Sequence, residues 1–268
     1  MSVKLAVSGA TGRMGHTILQ LAALDGRFLI TGALESPTHP MIGKSICDAD
    51  PSLAKTLGTP IVEKLEDLKN KPDILIDFSM PIASLNYLTS AKKLGIGLVV
   101  GTTGLNPDEK KMYVDASKKI PVLLSPNMGV GMNLLFTLVE EAARKLGPEY
   151  DVEIIEAHHN LKKDAPSGSA LGLGEAVSRA WGQDLDKIST HGRKGKVGER
   201  VKGTIGFHAV RGGDIVGDHT VLFAGPGERL ELTHRAASRE AFARGALKAA
   251  LFLSSKKDGF YEMRDVLI

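Results

Sequence analysis

Short apolar runs alternate with stretches of helical periodicity through the first half of the chain. Val3–Ser8 is apolar and runs into a glycine-rich segment, so it reads as a strand. Arg13–Leu24 follows with Met14, Ile18, Leu21 and Ala22 at helical spacing, and Phe28–Leu34 is a second strand. Residues 74–78 and 98–100 are near-continuous apolar runs, the pattern of strands covered on both faces. Helical patterns at 82–94 and 107–119 flank the second of these, and a strand at 122–125 leads to a helix from about 131 to 146. Residues 36–59, rich in Pro, Asp and Ser, interrupt the periodicity as a looser stretch. Strands alternating with helices in this way predict a parallel sheet wrapped by helices.

After Asp151 the texture changes. Residues 152–158 read as a strand and 167–181 as a helix; 203–210, 214–223 and 230–234 look like strands of an antiparallel sheet. A last helical pattern at 239–254 resembles the first half again and is expected to fold back onto it. The predicted architecture is α/β, with two domains. Residues 1–128 and 238–268 are expected to form a doubly wound parallel sheet. Residues 129–237 form a smaller α/β domain with a mostly antiparallel or mixed sheet. A length of 268 residues accommodates two domains, each near the usual size.

Composition narrows the functional classes. Apolar residues at 43% and charged residues at 24% exclude disorder and coiled coil. Thirty-four basic and thirty-one acidic residues are interspersed and leave +3, which gives neither a nucleic-acid stripe nor a membrane-surface helix. The single cysteine, Cys47, excludes an internal disulfide framework and fits a reducing cytosol. Lys4 and Arg13 interrupt the first apolar stretch, so no export signal is expected. Residues 120–139 are uncharged over 20 positions, the length of a membrane span. They contain Pro121, Pro126, Asn127, Gly129, Gly131 and Asn133, and read better as strand, loop and buried helix. A cytoplasmic protein with neither membrane nor nucleic-acid partner is the expectation.

Two segments carry candidate chemistry. In the first, Gly9-Ala10-Thr11-Gly12-Arg13-Met14-Gly15 stands where the first strand turns into the first helix. Glycines there let the backbone approach a pyrophosphate whose charge rests on the helix N-terminal amides. Glu35 closes the second strand 20 residues beyond Gly15, where a carboxylate would accept both adenosine ribose hydroxyls. Two more loops after strands, Gly101-Thr102-Thr103-Gly104 and Ser125-Pro126-Asn127-Met128, lie where open α/β sheets bind ligands.

The second segment is residues 153–169, with His158, His159, Lys162 and Lys163 ahead of Ser167-Gly168-Ser169. Adjacent strand residues point to opposite faces, which argues against one metal shared by the two histidines, and no metal is expected. No Gly-x-Ser-x-Gly elbow precedes the helix, so a serine triad is a poor fit. Histidine gives up a proton near neutral pH, and lysine stabilises negative charge. The helix opened by Ser167, Gly168 and Ser169 offers amides and an N-cap hydroxyl to a carboxylate. Acid catalysis on a small anionic substrate is the reading.

These residues resemble the dihydrodipicolinate reductase family over essentially the whole chain. The likeness rests on V-S-G-A-T-G-R-M-G at 7–15, G-T-T-G at 101–104, E-A-H-H-N-L-K-K-D-A-P-S-G-S-A at 156–170 and G-T-I-G-F-H-A-V-R-G-G-D-I-V-G-D-H at 203–219. The resemblance implies a Rossmann domain, NADH and/or NADPH as cofactor, and a homotetramer assembled through the smaller domain. It implies hydride transfer to a cyclic imine dicarboxylate, giving tetrahydrodipicolinate in lysine and diaminopimelate synthesis. It makes His158 and Lys162 the acid/base and proton donor, with His159, Lys162, Gly168 and Ser169 on the substrate carboxylates. The family often has threonine at position 169 and arginine at position 36, where this chain has Ser169 and Ser36. Without that arginine, NADH is expected to serve at least as well as NADPH, and Arg13 and Lys44 are the cations nearest to a ribose phosphate. Two alternatives compete: a semialdehyde dehydrogenase working through a Cys47 thioester, and a non-catalytic dinucleotide sensor.

Overall fold

The computed structural model describes residues 2–56 and 58–267. The chain forms β1 (Val3–Ser8), α1 (Arg13–Leu24), β2 (Phe28–Leu34), a single turn α2 (Ile46–Ala49), β3 (Ile61–Val62), β4 (Ile74–Asp77), α3 (Pro81–Leu94), β5 (Gly97–Val100), α4 (Pro107–Ala116), β6 (Pro121–Leu124) and α5 (Val130–Leu146). It continues with β7 (Asp151–His158), α6 (Gly168–Trp181), another single turn α7 (Leu185–Ile188), β8 (Ser189–His191), β9 (Ile205–Arg211), β10 (Gly217–Gly225), β11 (Glu228–Ala236), α8 (Glu240–Ser254) and β12 (Gly259–Tyr261).

Residues up to Val130 and from Arg239 onward make one compact unit. Its sheet runs β12-β6-β5-β4-β1-β2-β3 and is parallel throughout. Strand side chains alternate between two cores. Leu5, Val7, Ile74, Ile76 and Val99 face α1 and α8; Ala6, Leu75, Leu98 and Val100 face Leu88 and Ala91 of α3 and Tyr113 of α4. Covering both faces is what makes these strands mostly apolar, with Ser8 and Asp77 at their carboxyl ends as exceptions. The order of strands reverses direction between β1 and β4, and the crevice at their carboxyl ends is where such sheets bind ligands.

Gly131–Ser238 form the second unit. Its sheet runs β11-β10-β7-β9-β8, and α5 and α6 cover one face through Leu135, Val139, Leu173 and Val177 against Ile154, Phe207, Val221 and Phe223. The sheet is mixed. β10 pairs antiparallel with both β7 and β11, whereas β9 runs parallel to β7 and β8. A mixed sheet is one of the two arrangements expected; only the antiparallel reading of residues 203–210 is corrected, because β9 and β10 are neighbours in sequence but β7 lies between them. β3, β8 and β12, of two or three residues each, were absent from the sequence reading. The loose stretch after β2 contains α2, capped by Ser45 and Asp48. Residues 120–139 divide into β6, a loop and the start of α5; among the described residues no helix is long and apolar enough to cross a membrane.

Candidate active site

The turn from β1 into α1 is shaped by close backbone approach. Gly9 has φ of +63°, and a Cβ there would lie 2.9 Å from the Phe78 carbonyl oxygen. A Cβ on Gly15 would lie 2.1 Å from the Gly9 carbonyl oxygen, so only glycine lets α1 sit on its own entry turn. Gly12 caps α1 without a side-chain hydrogen bond, and the first turn carries no acid. A helix end left in this state suits an anion. Arg13 is exposed beside it, Met14 is half-buried, and Ala10 is buried.

Glu35, just past β2, is tied back to this turn. Its Oε1 accepts from the Thr11 amide (2.8 Å) and the Thr11 hydroxyl (2.7 Å), and its Oε2 from the Ser36 amide (3.2 Å). Thr11 is therefore engaged by the acid rather than presented as a cradle amide. His39, which the sequence reading missed, stands 3.1 Å from the Thr11 hydroxyl through Nε2. The Met41 amide donates to His39 Nδ1 (3.3 Å), which assigns the hydrogen of the neutral ring to Nε2. Hydrogen bonds then run in one direction, from His39 to Thr11 to Glu35. His39 is the ring that contacts this carboxylate system.

At the switch between β1 and β4, Asp77 is buried at 1% exposure. Its Oδ1 accepts from Ser8 Oγ (2.5 Å), the Ser79 amide (3.0 Å) and Ser79 Oγ (2.6 Å); its Oδ2 accepts from Ser84 Oγ and from Thr102 Oγ1 (3.3 Å). Thr102 is held inward by this carboxylate and by the Ser79 carbonyl (3.2 Å), while Thr103 and Gly104 are exposed. Gly101 is buried; a Cβ there would lie 2.5 Å from the Phe78 ring. In the next loop Ser125 Oγ donates to the Asn127 carbonyl (2.7 Å), Pro126 is exposed, and Met128 packs in the core. A dinucleotide meeting Ala10 and Met128 would therefore meet backbone. The uncapped α1 end, the tight glycine turn and the acid after β2 together fit such a ligand.

The second unit gathers the other candidates. His158, at the end of β7, places Nδ1 2.6 Å from Glu156 Oε2. The Arg211 guanidinium grips both oxygens of Glu156 (2.8 Å each) and donates to the Asp164 carbonyl (2.7 Å). The Ser167 amide donates to Glu156 Oε1 (3.1 Å). Ser167 Oγ caps α6 by accepting from the Ala170 amide (3.1 Å) and pairs with His219 Nε2 (3.0 Å). The His158 and His219 rings meet edge to face at 5.1 Å. Nothing would meet a Cβ on Gly168 within 4 Å, so the start of α6 is open.

Burial alone would push Glu156 up, but Arg211, His158 and the Ser167 amide hold it below the usual carboxylate range. Burial pushes His158 down against the pull of Glu156, with Lys162 and Arg211 adding to the fall. Burial and the neighbouring His158 push His219 down to about 4, so His219 is neutral at physiological pH. Lys162 Nζ pairs with both oxygens of Asp164 (2.8 and 2.9 Å). His159 is half-buried, and its carbonyl accepts from the Lys162 amide (3.2 Å).

Glu156, Arg211 and His219 carry no role in the sequence reading. Glu156 was detectable, because residues two apart on a strand share a face. Cys47 lies outside both sites, its thiol donating to the Leu53 carbonyl (3.2 Å). Among the described residues no group of three His, Cys, Asp or Glu side chains is placed to hold a metal.

Comparison with known proteins covers both units. Residues 3–128 match the N-terminal family of dihydrodipicolinate reductase and residues 131–267 its C-terminal family. The chain is similar to the 4-hydroxy-tetrahydrodipicolinate reductase of Nitrosomonas europaea, at 48% identity over 99% of this chain and 98% of that one. It is similar to the enzyme of the same name from Thiobacillus denitrificans, at 46% identity over 100% of this chain and 99% of that one. Among solved structures, dipicolinate-bound dihydrodipicolinate reductase from Paenisporosarcina sp. TG-14 shares the fold, with a TM-score of 0.76 at 22% identity over 98% of each chain.

Proposed function

The chain belongs to the dihydrodipicolinate reductase family, and from that premise we propose that it reduces 4-hydroxy-tetrahydrodipicolinate to tetrahydrodipicolinate for lysine and diaminopimelate synthesis. The observation that carries this reading is the convergence on one buried carboxylate, Glu156, of a proton-handling ring, His158, and of Ser167, the cap of a helix whose start is open. A proton carrier beside an anion-binding helix end suits a small dicarboxylate. No feature favours the thioester or sensor alternatives.

NADH or NADPH supplies the hydride when bound. Gly9, Ala10, Gly12, Arg13, Met14 and Glu35, with Gly101–Thr103 and Ser125–Met128, are the residues that would hold it, and Thr11 serves by anchoring Glu35. Loss of the 4-hydroxyl as water and addition of hydride to carbon together consume one proton, and in the second unit His158 is the group that moves it. The amides of Gly168 and Ser169 and the hydroxyl of Ser169 receive one substrate carboxylate, Ser167 holding that helix end in shape. Lys162 exchanges Asp164 for a substrate carboxylate, and His159 joins it. The protein works in the cytoplasm as a homotetramer. Ile155 and Val210, exposed on the sheet face turned away from α5 and α6, support assembly through this unit.

The test is oxidation of NADH and NADPH at 340 nm with freshly made synthase product, alongside light scattering for the tetramer. His158→Gln is expected to lower kcat about 100-fold or more. Lys162→Ala is expected to lose turnover and affinity together. No oxidation by the wild type, or near-normal kinetics in both variants, overturns the assignment.

A further inference from the structure

A carboxylate at 1% exposure is costly unless its lone pairs are satisfied and its charge compensated. Glu156 meets both conditions. Arg211 occupies both oxygens, the Ser167 amide adds to Oε1, and His158 Nδ1 adds to Oε2. An ionised carboxylate only accepts, so at Nδ1 the histidine must be the donor. The neutral ring therefore carries its hydrogen on Nδ1 and its lone pair on Nε2.

The rest of the surroundings keep Nε2 as the working atom. A Cβ on residue 217 would lie 3.1 Å from Nε2 and 3.4 Å from Cδ2, and Gly217 leaves that edge clear. His219 stands edge-on to the ring and fixes its plane. The charged and titratable groups around the imidazole are Glu156 on β7, Arg211 on β9, His219 on β10 and Lys162 in the loop after β7. Glu156 alone among them is an anion. It alone favours the imidazolium.

We propose that Glu156 is a positioning residue for the reduction, held by Arg211, which fixes the His158 tautomer so that the imidazolium gives up its Nε2 proton and keeps Nδ1–H. This rests on His158 being the proton carrier. In the step, the Nε2–H bond breaks, the proton passes to the substrate, and the electron pair stays on Nε2. The ring is left in the neutral form that the carboxylate already requires. No rearrangement of the Nδ1 hydrogen bond accompanies the transfer, which is the value of holding the base from behind.

The experiment is a pH titration of the full-length protein labelled with 15N in its histidine rings, with His158 assigned by the signal lost in His158→Gln. In the wild type the neutral ring is expected to show an unprotonated Nε2 and a protonated Nδ1; the reverse tautomer overturns the proposal without any further variant. In Glu156→Gln the His158 midpoint is expected to fall by about one pH unit or more, with Glu156→Asp restoring most of it. The kcat of Glu156→Gln is expected to fall about tenfold or more, with KM changed less than about threefold. Its activity should decline at lower pH than that of the wild type, because less of the acid is protonated. An unchanged midpoint in Glu156→Gln overturns the positioning role. A shifted midpoint with unchanged turnover shows that the coupling exists but that His158 is not the proton carrier, which is the failure of the other reading.

Discussion

Asp77 shows how single residues set the geometry of the loops around the sheet's carboxyl edge. The hydroxyls of Ser8, Ser84 and Thr102 converge on its two oxygens from β1, α3 and the loop after β5. Asp77→Ala leaves these buried donors without their shared acceptor and is expected to cost about 3 kcal/mol. Asp77→Asn should cost less, since the hydroxyls can turn and accept from the amide. Urea midpoints for the two variants check this, and equal losses would contradict it. Just past β2, Glu35 and His39 lead to a second expectation. Ser36→Arg should move the ratio of catalytic efficiencies toward NADPH, and Glu35→Ala should weaken NADH use most. A wild type favouring NADPH by about tenfold or more, ~1.4 kcal/mol, would mean that another group already serves the phosphate. His39 and Arg211 escaped the sequence reading for a physical reason. One lies in a stretch with no periodicity, and the other reaches Glu156 from 55 residues away. Glu156 lay in plain view, two residues before His158.

At the scale of elements, legibility followed length and burial. β1, β2 and β4 to β6 are covered on both faces over most of their length, so apolar residues dominate them, with Lys4, Ser8, Thr31 and Asp77 the exceptions, and they are easily recognised. β3, β8 and β12 are too short to hold a full alternation, and β9 was readable as a strand without revealing its parallel partner. α8 carries a glycine that its helical pattern does not explain. A Cβ on Gly245 would lie 1.7 Å from the Met128 carbonyl oxygen, so the helix backbone rests directly on the loop after β6. Alanine is favoured over glycine in a free helix by about 1 kcal/mol. Gly245→Ala is nevertheless expected to destabilise, because a backbone contact must open. A denaturation midpoint at or above that of the wild type would refute this.

For the whole molecule, buried histidines make stability depend on acidity. His219 has its folded value near 4 against an ordinary 6.5. Between these values the unfolded chain binds the proton and the folded chain does not, so stability falls as pH drops from 6.5 to 4 and this contribution levels off below. At about 1.4 kcal/mol per pH unit, the loss from this residue is about 3 kcal/mol. His158 and His234, also depressed by burial, act in the same direction. Glu153 behaves differently: burial would push it up, but Arg193, His208 and Arg200 hold it near 2, so its loss comes only as pH falls from 4.5 toward 2. Denaturation at pH 7.5, 5 and 3.5 should show the first loss reduced in His219→Gln and the second reduced in Glu153→Gln.

The order of the chain adds a consequence in time. α8 brings Ala243, Ala246, Leu247, Ala249, Ala250 and Leu253 to the core built on β1, β4 and β5. Those strands are made first, and their cover is made after the whole of the second unit. At roughly 5–20 residues per second, a ribosome needs roughly 6–25 s to travel from the end of the first segment to the end of α8. During that interval the face of the nascent sheet shared by α1 and α8 has only α1 to cover it, while residues 131–238, once made, have everything their own core requires. A chain stopped short of α8 therefore keeps its later half intact and becomes sticky in its earlier one.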